Sequence, residues 1–226
     1  MVNCLEIDSI VKNYGSRIIL SDIFLKCETG DIVGLFGRNG AGKSTLFKII
    51  FGTESAEHKH LKINGEIHQK PYLTKNTISY LPQFNFLPNN LTVKKAALLF
   101  LEITATDLFF TDPFIEKIVS KKINKLSGGE LRYFEIKLIL AQKSKFVILD
   151  EPFMGLSPII IEEVKKNIIE SSKTKGIIIT DHSFANVLDI STKRYVIKDG
   201  RCNFFQHEDE LIKYGYLSRN HSKIEY

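Results

Sequence analysis

The stretch Gly37-Arg38-Asn39-Gly40-Ala41-Gly42-Lys43-Ser44-Thr45 constrains this chain more than any other. It follows an apolar run, Ile32-Val33-Gly34-Leu35-Phe36, that reads as a buried strand, and it precedes Leu46-Phe47-Lys48-Ile49-Ile50, which reads as a helix. Glycines let the backbone wrap closely around an anion without Cβ clashes. Successive N–H groups and the helix N-terminus then point at phosphate oxygens. A glycine turn that merely feeds a helix is the competing reading, and the full GxxxxGK[ST] spacing in this strand, loop, helix context argues against it. In such a phosphate-binding loop Lys43 reaches the β- and γ-phosphates, and the Ser44 hydroxyl holds Mg²⁺.

A second decisive stretch is Phe146-Val147-Ile148-Leu149-Asp150-Glu151-Pro152. Four apolar residues make a buried parallel strand. Asp150 at its carboxyl end is placed to hold Mg²⁺, and Glu151, turned differently by the strand period, is a candidate general base for a water. Two adjacent carboxylates closing an apolar strand are costly without a cation. Gln83 follows Pro82 just past another strand end, where ligands of parallel sheets bind, and its amide can reach Mg²⁺ or an attacking water. His182 follows Ile177-Ile178-Ile179-Thr180-Asp181 at the end of a further core strand, which favours a γ-phosphate contact over a structural role.

Between these lies Leu126-Ser127-Gly128-Gly129-Glu130, followed by the amphipathic run Leu131, Phe134, Leu138 and Ala141. Ser127 and Glu130 make a capping box. A glycine-flanked helix start with a free serine is also an anion site, and two glycines in a first turn weaken a helix built only for structure.

The remaining chain sorts into a β-rich part and a helical part. Residues 2–7, Ile10–Tyr14, Arg17–Lys26, Leu61–His68 and Thr77–Leu81 read as strands. Tyr14, an aromatic before the Gly15-Ser16 turn, is either strand packing or a platform for an adenine ring, and the phosphate loop downstream favours the platform. His58-Lys59-His60 falls in the polar stretch 53–60, which reads as a solvated loop, and no metal is expected there. From Phe84 to about Lys125 the composition turns helical, with Thr92 capping one helix and Asp112-Pro113 starting another. Phe84, Phe86, Phe100, Phe109, Phe110 and Phe114 are expected to form a small core and part of a groove for a partner helix. Ser157-Pro158 starts a helix through Ile168, with Ser157 as its cap. Asp199-Gly200 marks a hairpin between closing strands, and the tail from Leu211 is a terminal-helix candidate.

The 226 residues, 43% apolar and 25% charged, suit a globular chain of one large domain, or of one core with an inserted subdomain. Cys4, Cys27 and Cys202 are odd in number and widely spaced, so free thiols in a reducing compartment are expected. The start of the chain is too polar for a signal peptide, and no stretch spans a bilayer. A formal charge of +5 without a basic run gives no case for nucleic acid.

Taken in order, these motifs resemble the nucleotide-binding subunit of ATP-binding cassette (ABC) transporters over nearly the whole chain. Gly37–Thr45 matches the Walker A motif, Gln83 the Q-loop, Leu126–Glu130 the family signature, Asp150 the Walker B carboxylate, Glu151 the catalytic glutamate, His182 the switch histidine and Tyr14 the adenine-stacking aromatic. The resemblance implies an α/β P-loop NTPase (RecA-like) core, residues 1–83 and 127–226, with an antiparallel β subdomain, and an α-helical subdomain inserted at 84–126. It implies ATP and Mg²⁺ as ligands and a head-to-tail homodimer or heterodimer. ATP would lie between Lys43 and its neighbours on one subunit and Ser127, Gly128 and Gly129 on the other. It further implies separate membrane permease subunits as partners and a place in the cytoplasm, peripheral on the inner face of the cell membrane. Phe153 and Thr180-Asp181-His182 most resemble cassettes for lipid, polysaccharide or branched-chain amino acid traffic. The chain departs from the family pattern at Ser157, where an aspartate is usual, and in a short segment between Gln83 and Ser127. The alternative is a soluble ATPase of the same type in an assembly process such as iron–sulfur cluster scaffolding.

Overall fold

A computed structural model describes residues 2–102, 108–207 and 210–211. Its centre is a parallel sheet whose strands carry side chains to two apolar layers. The strands β3 (Ile32–Phe36), β6 (Ile78–Leu81), β7 (Phe146–Asp150) and β8 (Gly176–Thr180) run in the order β3-β8-β7-β6, all parallel. Because side chains alternate along a strand, Val147, Leu149, Ile177 and Ile179 join one buried cluster while Phe146, Ile148 and Ile178 join the other. Burial on both faces is why these strands read as unbroken apolar runs.

The helix α1 (Lys43–Phe51) packs Leu46, Phe47, Ile49 and Ile50 into the second cluster. The helices α2 (Val93–Phe100), α3 (Pro113–Glu116), α4 (Gly128–Ala141), α5 (Pro158–Ser172) and α6 (Phe184–Ile190) supply the first. Of these α6 has no strong sequence signal, since Ser183 makes no side-chain cap. The stretch after Ser127 is more deeply buried than an amphipathic stripe implies: Arg132, Tyr133, Glu135 and Ile136 are buried along with Leu131, Phe134 and Leu138.

On the far edge the sheet turns antiparallel. β1 (Cys4–Tyr14) pairs with β2 (Arg17–Glu28) and with β4 (His58–Ile63), and β4 pairs with β5 (Glu66–Ile67). β9 (Lys193–Lys198) and β10 (Arg201–Phe204) close it onto β3 and β2, giving the order β5-β4-β1-β2-β10-β9-β3-β8-β7-β6. Three expectations need correction here. Residues 2–7 and Ile10–Tyr14 are one strand, interrupted by a register shift at Ser9, whose φ is +52°; a bulge breaks the alternation that a strand reading depends on. His58 and His60 lie in β4 and not in a loop, because pairing with Val11 and Asp8 of β1 outweighs their polar composition. Leu61–His68 is not one strand, since Asn64-Gly65 turns it with φ of +54° and +84°. The Asp199-Gly200 hairpin forms as expected, with φ of +51° and +75°.

The helical caps also follow the sequence. Thr92 accepts from the Lys95 N–H at 3.2 Å, and Asp112 accepts from Phe114 and Ile115 at 2.9 and 3.1 Å with Pro113 in the first turn. Phe109 is buried against Phe110 and Phe134, and Phe86 meets Phe100, whereas Phe84 stands 77% exposed. Residues 103–107 of the helical stretch, and the terminal-helix candidate beyond Leu211, lie outside the described residues.

Candidate functional site

The glycine loop hangs between the end of β3 and the start of α1. Gly42 has a φ of +99°, and a Cβ there would sit 2.9 Å from Ile19 and Leu20, so conformation and space both demand glycine. The Lys43 ammonium folds back onto the loop, donating to the Gly37 and Arg38 carbonyls at 2.6 and 3.2 Å. Burial pulls its pKa down, opposed by the charges of Glu151 and Asp150. Asn39, Gly40, Gly42, Lys43, Ser44 and Thr45 line a cleft of about 410 Å³ together with Tyr14, Gln83, Glu151 and His182. Residues spread over 168 positions of sequence thus converge on one concavity, because every strand that delivers them ends on the same edge of the sheet. Arg38 and Ala41 line the neighbouring cleft instead, and Gly37 is buried beneath the loop.

At the end of β7, Asp150 is 1% exposed and accepts from Ser44 Oγ at 3.2 Å and from Tyr80 OH at 3.0 Å. Burial raises its pKa, and the Ser44 and Tyr80 hydrogen bonds oppose that rise. Glu151 leaves the strand with a φ of +52°, a left-handed turn and not the strand period, and this swings its side chain into the cleft. Its Oε2 accepts from Gln83 Nε2 at 3.0 Å, and its Oε1 lies 3.0 Å from His182 Nε2. Gln83 and His182 therefore both meet the Glu151 carboxylate here. Asp181 accepts from the Phe153 and Ser183 N–H groups at 2.8 Å each, bracing the turn after Glu151 against the segment that carries His182.

Two residues of this site carry no local sequence signal. Tyr80 is one, a strand tyrosine whose phenol burial keeps protonated as a donor to Asp150. The other is Arg132 on α4. Its guanidinium, 4% exposed, donates to the carbonyls of Pro82 at 2.9 Å, Asp150 at 2.7 Å and Glu151 at 2.9 Å. Its position two residues past Glu130 is visible in the sequence, but its carbonyl partners are made only by folding.

Ser127, Gly128 and Gly129 are not brought into the cleft. Ser127 and Gly129 line a separate cavity of about 400 Å³ with Gly155 and Ser157. The capping box forms, with Ser127 Oγ accepting from Glu130 N and the Glu130 carboxylate accepting from Ser127 N. The Ser127 oxygen is therefore engaged as a cap and not free, which leaves its hydroxyl proton for an external acceptor. Ser157 occupies the N-cap position of α5 but its side chain makes no capping bond; the helix begins on the fixed φ of Pro158. Among the described residues no cluster of His, Cys, Asp and Glu could hold a metal by itself, and no helix is long and apolar enough to cross a membrane.

The chain is similar to known proteins in sequence and in fold. The family described as ABC transporter matches residues 20–154. The lipopolysaccharide export system ATP-binding protein LptB of Haemophilus influenzae is 33% identical over 217 residues, covering 88% of this chain and 89% of that protein. LptB of Escherichia coli is 30% identical over 238 residues, covering 94% and 96%. The solved structure of an ATP binding subunit of an ABC transporter superposes with a TM-score of 0.83 at 24% identity, over 94% of this chain and 93% of that one, a likeness of fold.

Proposed function

The chain belongs to the ABC transporter family, and from that premise we propose that Glu151 is the general base of its ATPase, acting on ATP held between two subunits. As an ATP-binding subunit of a transporter, the protein is an ATPase that serves transport. Its relatives are ATP-binding proteins of transport systems by name, which does not favour the alternative of a soluble assembly ATPase. The observation that carries the reading is the Glu151 carboxylate, held at 3.0 Å from both Gln83 and His182 beside the phosphate loop.

Phosphoryl transfer needs positioning and charge stabilisation more than covalent help. Lys43 releases the Gly37 and Arg38 carbonyls to reach phosphate oxygens. Tyr14, half exposed at the mouth of the cleft, stacks on the base. Glu151 takes the proton of the attacking water, with Gln83 fixing the carboxylate and His182 leaving it for the γ-phosphate. The residues fit Mg²⁺: a hydroxyl and a buried carboxylate, Ser44 and Asp150, lie 3.2 Å apart, a hard-oxygen set with a negative charge to compensate. Ser44, Asp150 and the Gln83 amide oxygen would hold the ion, which neutralises charge on the phosphate oxygens when bound. Ser127, Gly128 and Gly129 stand apart from the cleft of their own chain. We therefore assign them to the ATP of a second subunit, identical or related, where the N-terminus of α4 faces the γ-phosphate. The apolar side chains left exposed near α2 (Phe84 at 77%, Leu98 at 50% and Leu99 at 71%) suit a permease on a separate chain, which would hold the protein at the cytoplasmic face of the membrane.

The test is ATP turnover and size-exclusion elution in Mg-ATP for the wild type and Glu151→Gln. Turnover is expected to fall by about 10²–10⁴-fold with ATP binding kept and a dimer trapped. Turnover of Glu151→Gln at the wild-type rate would remove Glu151 from the role.

A further inference from the structure

Tyr14 sits at the mouth of the nucleotide cleft with something beneath it. On a strand, residues two apart share a face, and Lys12 lies on the same face of β1 as Tyr14. The Lys12 ammonium is 4.8 Å from the centroid of the Tyr14 ring. Lys12 is only 7% exposed, whereas Tyr14 is 50% exposed, so a buried ammonium lies against one face of a half-exposed ring. A lysine buried this far needs a partner, and Lys12 has one in Glu54 at 2.7 Å.

Glu54 comes from the segment that follows the phosphate-loop helix. Gly52 closes α1 with a φ of +103°, and the N–H groups of Gly52, Thr53 and Glu54 all donate to the Lys48 carbonyl at 2.9, 3.0 and 3.2 Å. Glu57, three residues further along the same connection to β4, accepts from Asn13 N at 3.1 Å and donates its own N–H to Val11 O at 2.9 Å. The end of β1 is thus tied on both sides of Lys12 to the C-terminal end of the helix that binds phosphate.

We propose that Lys12, held by Glu54, is a positioning residue for nucleotide base recognition. It fixes the plane of the Tyr14 ring from below and leaves the upper face to the base. An ammonium over one face of a phenol draws electron density toward itself. The opposite face becomes a better platform for an electron-rich purine than for a pyrimidine. The Glu54 tie sets that platform at a fixed distance from the phosphate loop. The inference rests on the reading of Tyr14 as the base-stacking residue.

The test is equilibrium binding of ATP, CTP and inorganic tripolyphosphate to the full chain, for wild type, Lys12→Met, Lys12→Arg, Tyr14→Ala and the Lys12→Met/Tyr14→Ala double variant. Lys12→Met should weaken ATP by about fivefold, a coupling of about 1 kcal/mol at 1.4 kcal/mol per tenfold. Tripolyphosphate, which has no base, should bind as to wild type, and the preference for ATP over CTP should shrink. Lys12→Arg keeps a cation under the ring and should restore ATP affinity. In the Tyr14→Ala background the Lys12→Met effect should vanish. A structural role for Lys12 would weaken ATP and tripolyphosphate alike, or would add to Tyr14→Ala, and either result overturns the inference while the Tyr14 reading stands. If Tyr14→Ala itself leaves ATP affinity unchanged, the base platform fails and the inference fails with it.

Discussion

Replacing Arg132 with methionine separates the chemistry of this site from the stability of the fold that carries it. Arg132 is nearly enclosed and pairs with Glu135, which is fully buried, at 3.4 Å. Glu135 also accepts from Phe86 N at 3.2 Å, and burial already raises its pKa. Arg132→Met leaves that carboxylate without its cation, a loss of about 3–5 kcal/mol for a broken buried pair. For a chain of this size that is roughly 10 °C of melting temperature. The double variant Arg132→Met/Glu135→Leu removes the stranded charge and should recover the part of the loss that the unpaired carboxylate causes. The remainder comes from carbonyls that lose a donor, about 1–3 kcal/mol for each one cut off from water. Activity should not recover. The same guanidinium ties the carbonyls of Asp150 and Glu151 to that of Pro82, one residue before Gln83. Without it the left-handed turn at Glu151 loses its anchor, and a displacement of about 1 Å at a reacting group costs about 100-fold in rate. Urea unfolding, ATP affinity and turnover of both variants check this. Expected are near-normal ATP affinity, because Lys43 and its loop are untouched, and a kcat depressed about 100-fold in the double variant. A double variant that is stable and turns over at the wild-type rate would refute the anchoring argument.

Other outcomes follow from single contacts. Ser157→Asp should stabilise by about 0.5–1 kcal/mol, raising the melting temperature by roughly 1–4 °C, because the present serine makes no cap and the new carboxylate faces the N-terminus of α5; a lower melting temperature would count against it. Gly200→Ala should destabilise by about 1–2 kcal/mol in a urea titration, since φ is +75° and a Cβ would stand 3.2 Å from the Ile19 carbonyl. Lys175, 8% exposed and donating to the Leu140 and Gln142 carbonyls, is pushed down by burial to about 8 from 10.5. Between those values the unfolded chain binds more protons than the folded one, so this group's contribution to stability rises with pH across that window and is flat below it. The stability difference between wild type and Lys175→Met should therefore shift toward wild type from pH 7.5 to 10, and a constant difference would show that Lys175 does not titrate there.

Much of this protein was legible in the order of its residues, wherever the physical cause acts within a few positions. The phosphate loop needs glycines, a lysine and a hydroxyl at fixed spacing, and Gly42 and Ser44 supply them in place. The core strands are apolar runs because both their faces are buried, and the caps at Thr92, Asp112 and Ser127 satisfy amides two or three residues away. Tertiary structure decided the rest, because the cause lies across the sheet. Only pairing with β1 makes a strand of His58 and His60. Only the short approach of strand ends puts Gln83 and His182 on one carboxylate, and only the packing of α4 under them gives Arg132 its three carbonyls. Ser127 and Gly129 share a chain with Lys43 yet open on a different cavity. Composition and spacing name the chemistry a residue is able to do; which other residue it does it with depends on distances that exist only once the sheet has brought together parts of the chain far apart in sequence.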